Sequence, residues 1–67
     1  MCLSKVYLRE DGGDNLVVEE ATGINVDSDG TIEISSMFDE NKSIRNYFIK
    51  EVDFIKSCTI LGRKADI

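Results

Sequence analysis

Apolar and polar residues alternate along most of the chain, which is the period of a β-strand that has one buried face. Val6 and Leu8 share one face, while Lys5 and Tyr7 share the other. Residues 31–35 repeat the pattern, with two isoleucines on one side and threonine, glutamate and serine on the other. Further strands are predicted at residues 16–18, 24–26 and 58–61, and residues 37–38 are predicted to extend the strand before them.

Three polar segments separate these stretches and are predicted to form turns. They are residues 10–14, 27–30 and 39–42, and the first two contain glycine, which adopts positive φ at little cost. Several short strands joined by tight turns indicate an all-β fold. We expect a small antiparallel barrel or curled sheet that forms one domain over residues 1–67, with at most one short helical turn.

The segment 43–54 is ambiguous, because its apolar residues also fit the spacing of a helix. Its β-branched and aromatic content favours strand, with a bend near Asn46, and a short helix is the minority interpretation. Four of the five aromatic residues, Tyr7, Phe38, Phe48 and Phe54, are predicted to belong to the core rather than to a stacking surface. Residues 62–67 are predicted to be a fraying tail.

Composition narrows the range of functions. The 67 residues include 13 acidic and 8 basic side chains, which gives a net charge of -5 and argues against a basic groove for phosphate backbones. The absence of histidine from the sequence removes Ser-His-Asp and Cys-His pairs within one chain, and with them histidine metal sites. We therefore predict that the protein is not an enzyme. No apolar run has the length of a membrane span and no signal peptide is visible, so we predict a cytoplasmic protein.

The small size of the chain indicates that it needs support from a partner. Below ~70–80 residues one core rarely supplies more than ~3–5 kcal/mol. The two cysteines allow at most one disulfide within the chain, and a reducing cytoplasm disfavours it. Dimerisation, with or without a metal, is the expected support.

Cys2 is the residue with the most distinctive chemistry. Removal of Met1 would leave an α-amine and a thiol on one residue, and this pair chelates a metal; if Met1 stays, the amide nitrogen of Cys2 can replace the amine. Two chains related by a twofold axis would then supply two nitrogen and two sulfur donors in a plane, a set that suits Ni(II) or Cu(II). The alternative is that Cys2 is a small apolar residue at the start of a strand.

The remaining candidate groups have simpler interpretations. Cys58 has no CxxC partner and is predicted to pack in the sheet, and a disulfide with Cys2 is disfavoured. Residues 25–30 match the first half of an EF-hand loop, but the first position is asparagine and the twelfth is serine, so a hairpin turn explains them better. The carboxylates at positions 39, 40, 51 and 53 are predicted to be solvated. The basic and aromatic residues Arg45, Tyr47, Phe48 and Lys50 are the nearest approach to a nucleic-acid patch.

Several short motifs, taken in order, resemble the CooT family of small nickel-binding proteins. The motifs are Met1-Cys2, Lys5-Val6-Tyr7-Leu8, Asp11-Gly12, Met37-Phe38-Asp39-Glu40 and Ile49-Lys50-Glu51-Val52-Asp53-Phe54. Their order and spacing cover nearly the whole chain.

The resemblance implies a homodimeric β-barrel, likened to Sm-like or SH3-like barrels, with one Ni(II) bound between the two Cys2 residues. It also implies a metallochaperone type of accessory role, such as the maturation of the nickel enzyme carbon monoxide dehydrogenase. Only Cys2 carries over as a ligand, since Cys58 lies outside the family pattern. Some members of this family are labelled as RNA-binding by fold analogy. The alternatives to nickel binding are therefore an RNA-binding barrel and a protein-interaction domain without a metal.

Overall fold

The computed structural model describes residues 3–67, which form six β-strands and one short 3-10 helix. The elements are β1 (Ser4–Glu10), β2 (Gly13–Val26), β3 (Ile32–Ser36), β4 (Lys42–Ile44), β5 (Tyr47–Asp53), β6 (Cys58–Arg63) and the 3-10 helix (Lys64–Asp66). This part of the chain contains no α-helix, and the prediction of an all-β fold with a short helical turn is confirmed. No helix in it has the length and apolar content needed to cross a membrane.

The six strands make one curled sheet, shaped like half of a barrel, in the order β4-β3-β2-β1-β6-β5. Every neighbouring pair is antiparallel except β1 and β6, which are parallel. A parallel pair needs a long crossover, and here the segment that contains β2 to β5 supplies it. As a result the first and last strands lie side by side within the sheet, and neither is at its edge.

Strand β2 produces much of the curl. Its first part pairs with β1 as far as Ala21, and its last part pairs with β3 from Ala21 to Val26. Register shifts interrupt both ladders near Ala21, and such bulges bend a strand and increase its twist. The two short strands predicted at residues 16–18 and 24–26 are therefore one bent strand of 14 residues.

The core lies on the concave face of the sheet. Val6, Ile32, Ile34 and Leu61 have no exposed surface, and they pack with buried Val18 and Ala21. The alternation predicted for β1 and β3 is confirmed, because Val6 is buried while the adjacent Lys5 is exposed, and both isoleucines of β3 point inward.

The ambiguous segment forms two strands joined by a bend, as the sequence predicted. Strand β4 ends at Ile44 and β5 begins at Tyr47, and between them Asn46 has φ of 68°. Asparagine is one of the few residues that adopt this left-handed conformation readily. The helical alternative for this segment is wrong.

The aromatic residues depart from the prediction, since Phe38 is 75% exposed and Phe54 is 89% exposed. Strand β3 ends at Ser36, and the last backbone bond to β2 is donated by the Met37 amide to the Glu20 carbonyl, 3.1 Å away. Beyond this bond the chain leaves the sheet, so residues 37–38 do not extend the strand. Phe54 is exposed for a similar reason, because it follows the last residue of β5.

The predicted tail is also ordered further than expected. Strand β6 continues to Arg63, and the 3-10 helix follows it. Arg63 forms ion pairs with Asp11 at 2.9 Å and with Asp66 at 3.0 Å, and these two carboxylates raise its pKa. The ion pairs link the last strand to the turn that follows β1.

Candidate metal-binding terminus and the adjoining groove

The beginning of β1 is fixed to the turn that precedes β6. The Lys5 amide and the Ser4 hydroxyl both donate to the Ser57 carbonyl, each at 3.0 Å. Cys2, the predicted nickel ligand, lies outside the described residues, and it is joined to this anchored segment through Leu3. The structure therefore shows which end of the sheet carries the predicted ligand.

Next to this terminus lies an apolar concavity of about 570 Å³, which we call the apolar groove. It lies between the second half of β2 and the edge strand β5, with Leu3 and the beginnings of β1 and β6 in its lining. Its lining residues are Leu3, Ser4, Ala21, Thr22, Gly23, Ile24, Ile49, Val52, Asp53, Phe54, Ser57, Cys58 and Thr59.

A bulge in β5 determines which of its side chains face the groove. Ile49 is aligned with Leu61 and Val52 with Thr59, and the register shifts between them. Leu61 and Thr59 are both buried, so the shift keeps Ile49 and Val52 on the concave side although they are three positions apart. Both remain partly exposed, at 39% and 47%, because the outer edge of β5 has no neighbouring strand in the sheet.

Cys58 lies at the same end of the sheet as the terminus. It is half-buried, lines the groove, and is aligned with Lys5 on β1 and with Asp53 on β5. The Asp53 carboxylate accepts hydrogen bonds from the amides of Ile55 at 3.0 Å and Lys56 at 2.9 Å. Asp53 therefore holds the turn after β5, while Cys58 places a thiol in the groove.

The acidic residues of the predicted turns are spread over the surface. Among residues 3–67 no three or more Cys, Asp or Glu side chains are grouped so as to hold a metal ion. Asp39 and Glu40 lie exposed in the loop between β3 and β4. The EF-hand-like segment is a hairpin turn, as predicted, in which the Gly30 amide donates to the Asp27 carbonyl at 2.9 Å.

The four residues that came nearest to a nucleic-acid patch in the sequence do not form one open surface. Tyr47 is half-buried and donates from its hydroxyl to Glu10 at 3.4 Å, and burial together with Glu10 raises the pKa of Tyr47. Phe48 is half-buried, and its ring lies where a side chain at Gly62 would contact it. Arg45 lies apart, in a small polar concavity that also contains Asp29.

The fold and the groove together describe a small half-barrel protein in which Leu3 and Ser4 line an exposed apolar groove. The family model described as CO dehydrogenase accessory protein CooT matches residues 1–62, and the chain belongs to this family. A comparison with curated proteins finds no match.

Membership in the family defines the class of the protein. It is an accessory protein of carbon monoxide dehydrogenase and not itself an enzyme, so the prediction of a non-enzymatic role is confirmed.

The sequence did not reveal the groove or the proximity of Cys58 to the beginning of β1. Both follow from the parallel pairing of β1 with β6, for which the local pattern of residues carries no signal.

Proposed function

We propose that the protein is a homodimeric, nickel-binding accessory protein that holds one Ni(II) between the Cys2 residues of its two chains. The nickel is cargo for carbon monoxide dehydrogenase, in the manner of a cytoplasmic metallochaperone. The observation that carries this proposal is the match to the CooT family from residue 1 onward, in a chain whose strand β1 begins at Ser4, two positions after Cys2.

The anchored start of β1 supports the proposal. Two backbone-directed hydrogen bonds to Ser57 hold Ser4 and Lys5 in place. Cys2 lies only two positions before Ser4, so the segment that joins it to the sheet is short. It therefore loses less conformational entropy when it binds a metal. A twofold axis near this terminus would bring the same ligand from each chain to one ion.

The chemistry of the donors favours nickel at such a site. Cys2 offers a soft thiolate together with a nitrogen, either the α-amine after removal of Met1 or the amide nitrogen if Met1 is retained. Two such pairs give a planar N2S2 set, which suits Ni(II) and Cu(II) more than the tetrahedral sulfur-rich sets of zinc. Asp27 and Asp29 would favour hard ions instead, and the Asp29 carboxylate already accepts the Thr31 amide at 2.9 Å.

Native mass spectrometry with added Ni(II) tests the proposal, together with thiolate-to-nickel absorption bands in a titration. We expect one nickel per dimer, and Cys2→Ser should weaken binding by roughly 100-fold or more, because changes outside the ligand set alone cost ~10–100-fold. Affinity should rise with pH through neutrality, since both donors must lose a proton.

Cys58→Ser is the matched control, because it removes the other thiol of the chain and should leave nickel binding unchanged. If Cys2→Ser retains the absorption bands, Cys2 is not the ligand. If the bands saturate at one nickel per chain, the site is not shared between two copies.

A further inference from the structure

Four exposed apolar side chains lie along β5 and the turn after it, toward the end of the sheet where β1 begins. Ile49, Val52, Phe54 and Ile55 follow one another along β5 and the turn after it, and Phe54 and Ile55 are 89% and 97% exposed. Leu3, half-buried, lies in the same groove as the first three of them. Single exposed apolar residues are normal, whereas a continuous patch beside a groove marks an interaction site.

We propose that the apolar groove is the self-association surface of the protein: it packs against the same groove of a second copy, with Phe54 at the centre of the contact. This inference rests on the proposed function, because it takes from it that one metal is bound by Cys2 of both chains. It adds the residues that bring the two termini together.

The length of chain between the ligand and the groove carries the argument. Only one peptide link separates Cys2 from Leu3, and consecutive Cα atoms lie ~3.8 Å apart. With metal–donor bonds of ~2.0–2.3 Å, two Cys2 residues on one ion keep the two Leu3 Cα atoms within roughly 18 Å of each other. The described part of one chain measures 33 × 25 × 18 Å, so this limit is no more than its shortest dimension. The ends that carry Leu3 must therefore face each other.

The other obvious way to cover β5 fails this distance limit. Antiparallel pairing of β5 with β5 of a second copy would place Lys50 of each chain opposite Glu51 of the other, which is favourable for charge. However, Leu3 is at the end of β1, and β6 lies between β1 and β5. With strands ~4.8 Å apart and ~3.3 Å per residue, the two Leu3 residues would then be roughly 35–40 Å apart. Sheet continuation through β5 in this charge-matched register therefore keeps the two termini too far apart to share one metal, whereas packing of groove against groove brings them together.

Phe54 has the properties of an anchor residue in such a contact. Aromatic residues are enriched at the buried centres of interfaces, and truncating one of them often weakens binding strongly. Because Phe54 follows β5 and is almost fully exposed, replacing it should not disturb the core. Phe38 is a matched control, since it is the same residue type, is 75% exposed and does not line the groove.

The test is sedimentation equilibrium on metal-free and nickel-loaded protein, for the wild type, Phe54→Asp and Phe38→Asp. We expect the wild type and Phe38→Asp to dimerise equally, and Phe54→Asp to dimerise at least roughly tenfold more weakly. Val52→Ser, which alters the wall of the groove, should weaken the dimer in the same direction. Circular dichroism establishes that each variant retains the strand content of the wild type.

Two results would overturn the inference. One is a Phe54→Asp variant that dimerises as strongly as the wild type. The other is a wild-type protein that stays monomeric with and without nickel. If Phe54→Asp in that case loses binding to carbon monoxide dehydrogenase, the groove is a surface for that enzyme rather than for a second copy.

Cys2→Ser separates this inference from the proposed function. If the groove mediates dimerisation, metal-free Cys2→Ser should dimerise as the wild type does. Loss of the dimer in Phe54→Asp combined with one nickel per chain would leave the groove as the interface and refute the shared site. The opposite pattern, a shared nickel in a dimer insensitive to Phe54→Asp, would refute the groove alone.

Discussion

Individual aspartates fix the turns of this protein through their side-chain oxygens. The Asp29 carboxylate accepts the Thr31 amide, and the Asp53 carboxylate accepts the amides of Ile55 and Lys56. Bonds of this kind shape a turn without help from the rest of the sheet. At Asp29 the bond also makes the turn sensitive to pH, because an ionised carboxylate is the stronger acceptor.

At Asp29 the consequence of pH can be predicted in sign. The hydrogen bonds from Thr31 lower the pKa of Asp29 below its ordinary value of 3.8. A group with a lowered folded-state pKa contributes stability above pH ~3.8, and this contribution is lost as pH falls through the folded-state pKa. We therefore expect Asp29→Asn to be less stable than the wild type at neutral pH, and the difference to shrink as pH falls below about 4.

Urea unfolding at a series of pH values measures this difference. Ser28→Ala in the same turn is the control, since it removes no carboxylate. An Asp29→Asn protein whose stability stays parallel to that of the wild type from neutral pH to well below the ordinary aspartate pKa of 3.8 would show that the Asp29 carboxylate does not act in this way.

Among the elements, β6 holds the sheet together. It pairs with β1 on one side and with β5 on the other, and its residues Thr59, Ile60, Leu61 and Gly62 are all buried. Gly62 lies close to Phe48, where an added Cβ would be 3.0 Å from the ring. In this strand a larger side chain would overlap its neighbours and a smaller one would leave a cavity. Substitutions in β6 should therefore lower the stability of the protein.

Leu61→Ala should destabilise the protein by about 2–5 kcal/mol, because it leaves a cavity in the core. In a domain of this size that is comparable with the whole stability of ~3–5 kcal/mol, so we expect the variant to be largely unfolded. Leu16→Ala is the matched control, since Leu16 is 46% exposed, and it should cost less than about 1 kcal/mol. Circular dichroism in a urea titration compares the two variants, and equal losses would contradict the assigned role of β6.

At the scale of the whole molecule, net charge decides between partners. The chain carries a charge of -5, and its basic side chains include Arg9 and Arg63, which are paired with carboxylates. Nucleic-acid binding depends on neutralising phosphates with basic groups and weakens steeply with salt. The overall electrostatics therefore oppose the RNA-binding alternative.

We expect no measurable binding of short single-stranded RNA at physiological salt. Fluorescence anisotropy with labelled oligonucleotides, measured over a range of salt concentrations, is the suitable assay. The nickel-loaded dimer should be measured beside the metal-free protein. A tight complex that weakens steeply with salt would favour the RNA-binding alternative.

The sequence by itself determined the local structure of this protein. Alternation in residues 5–8 and 31–35 established two core strands, and asparagine at position 46 indicated the bend that joins β4 to β5. The motifs also identified the CooT family, and with it the accessory role. These features depend on residues close together in the chain, where side-chain period and turn chemistry act directly.

Only the tertiary structure decided which distant residues meet. The parallel pairing of β1 with β6 brings Cys58 beside the start of β1, and the half-barrel leaves Phe54 exposed in the lining of the apolar groove. No local pattern distinguishes an aromatic residue of the core from one just beyond the end of a strand. That difference depends on where the ladder of hydrogen bonds stops, and the pairing of strands far apart in sequence sets this point.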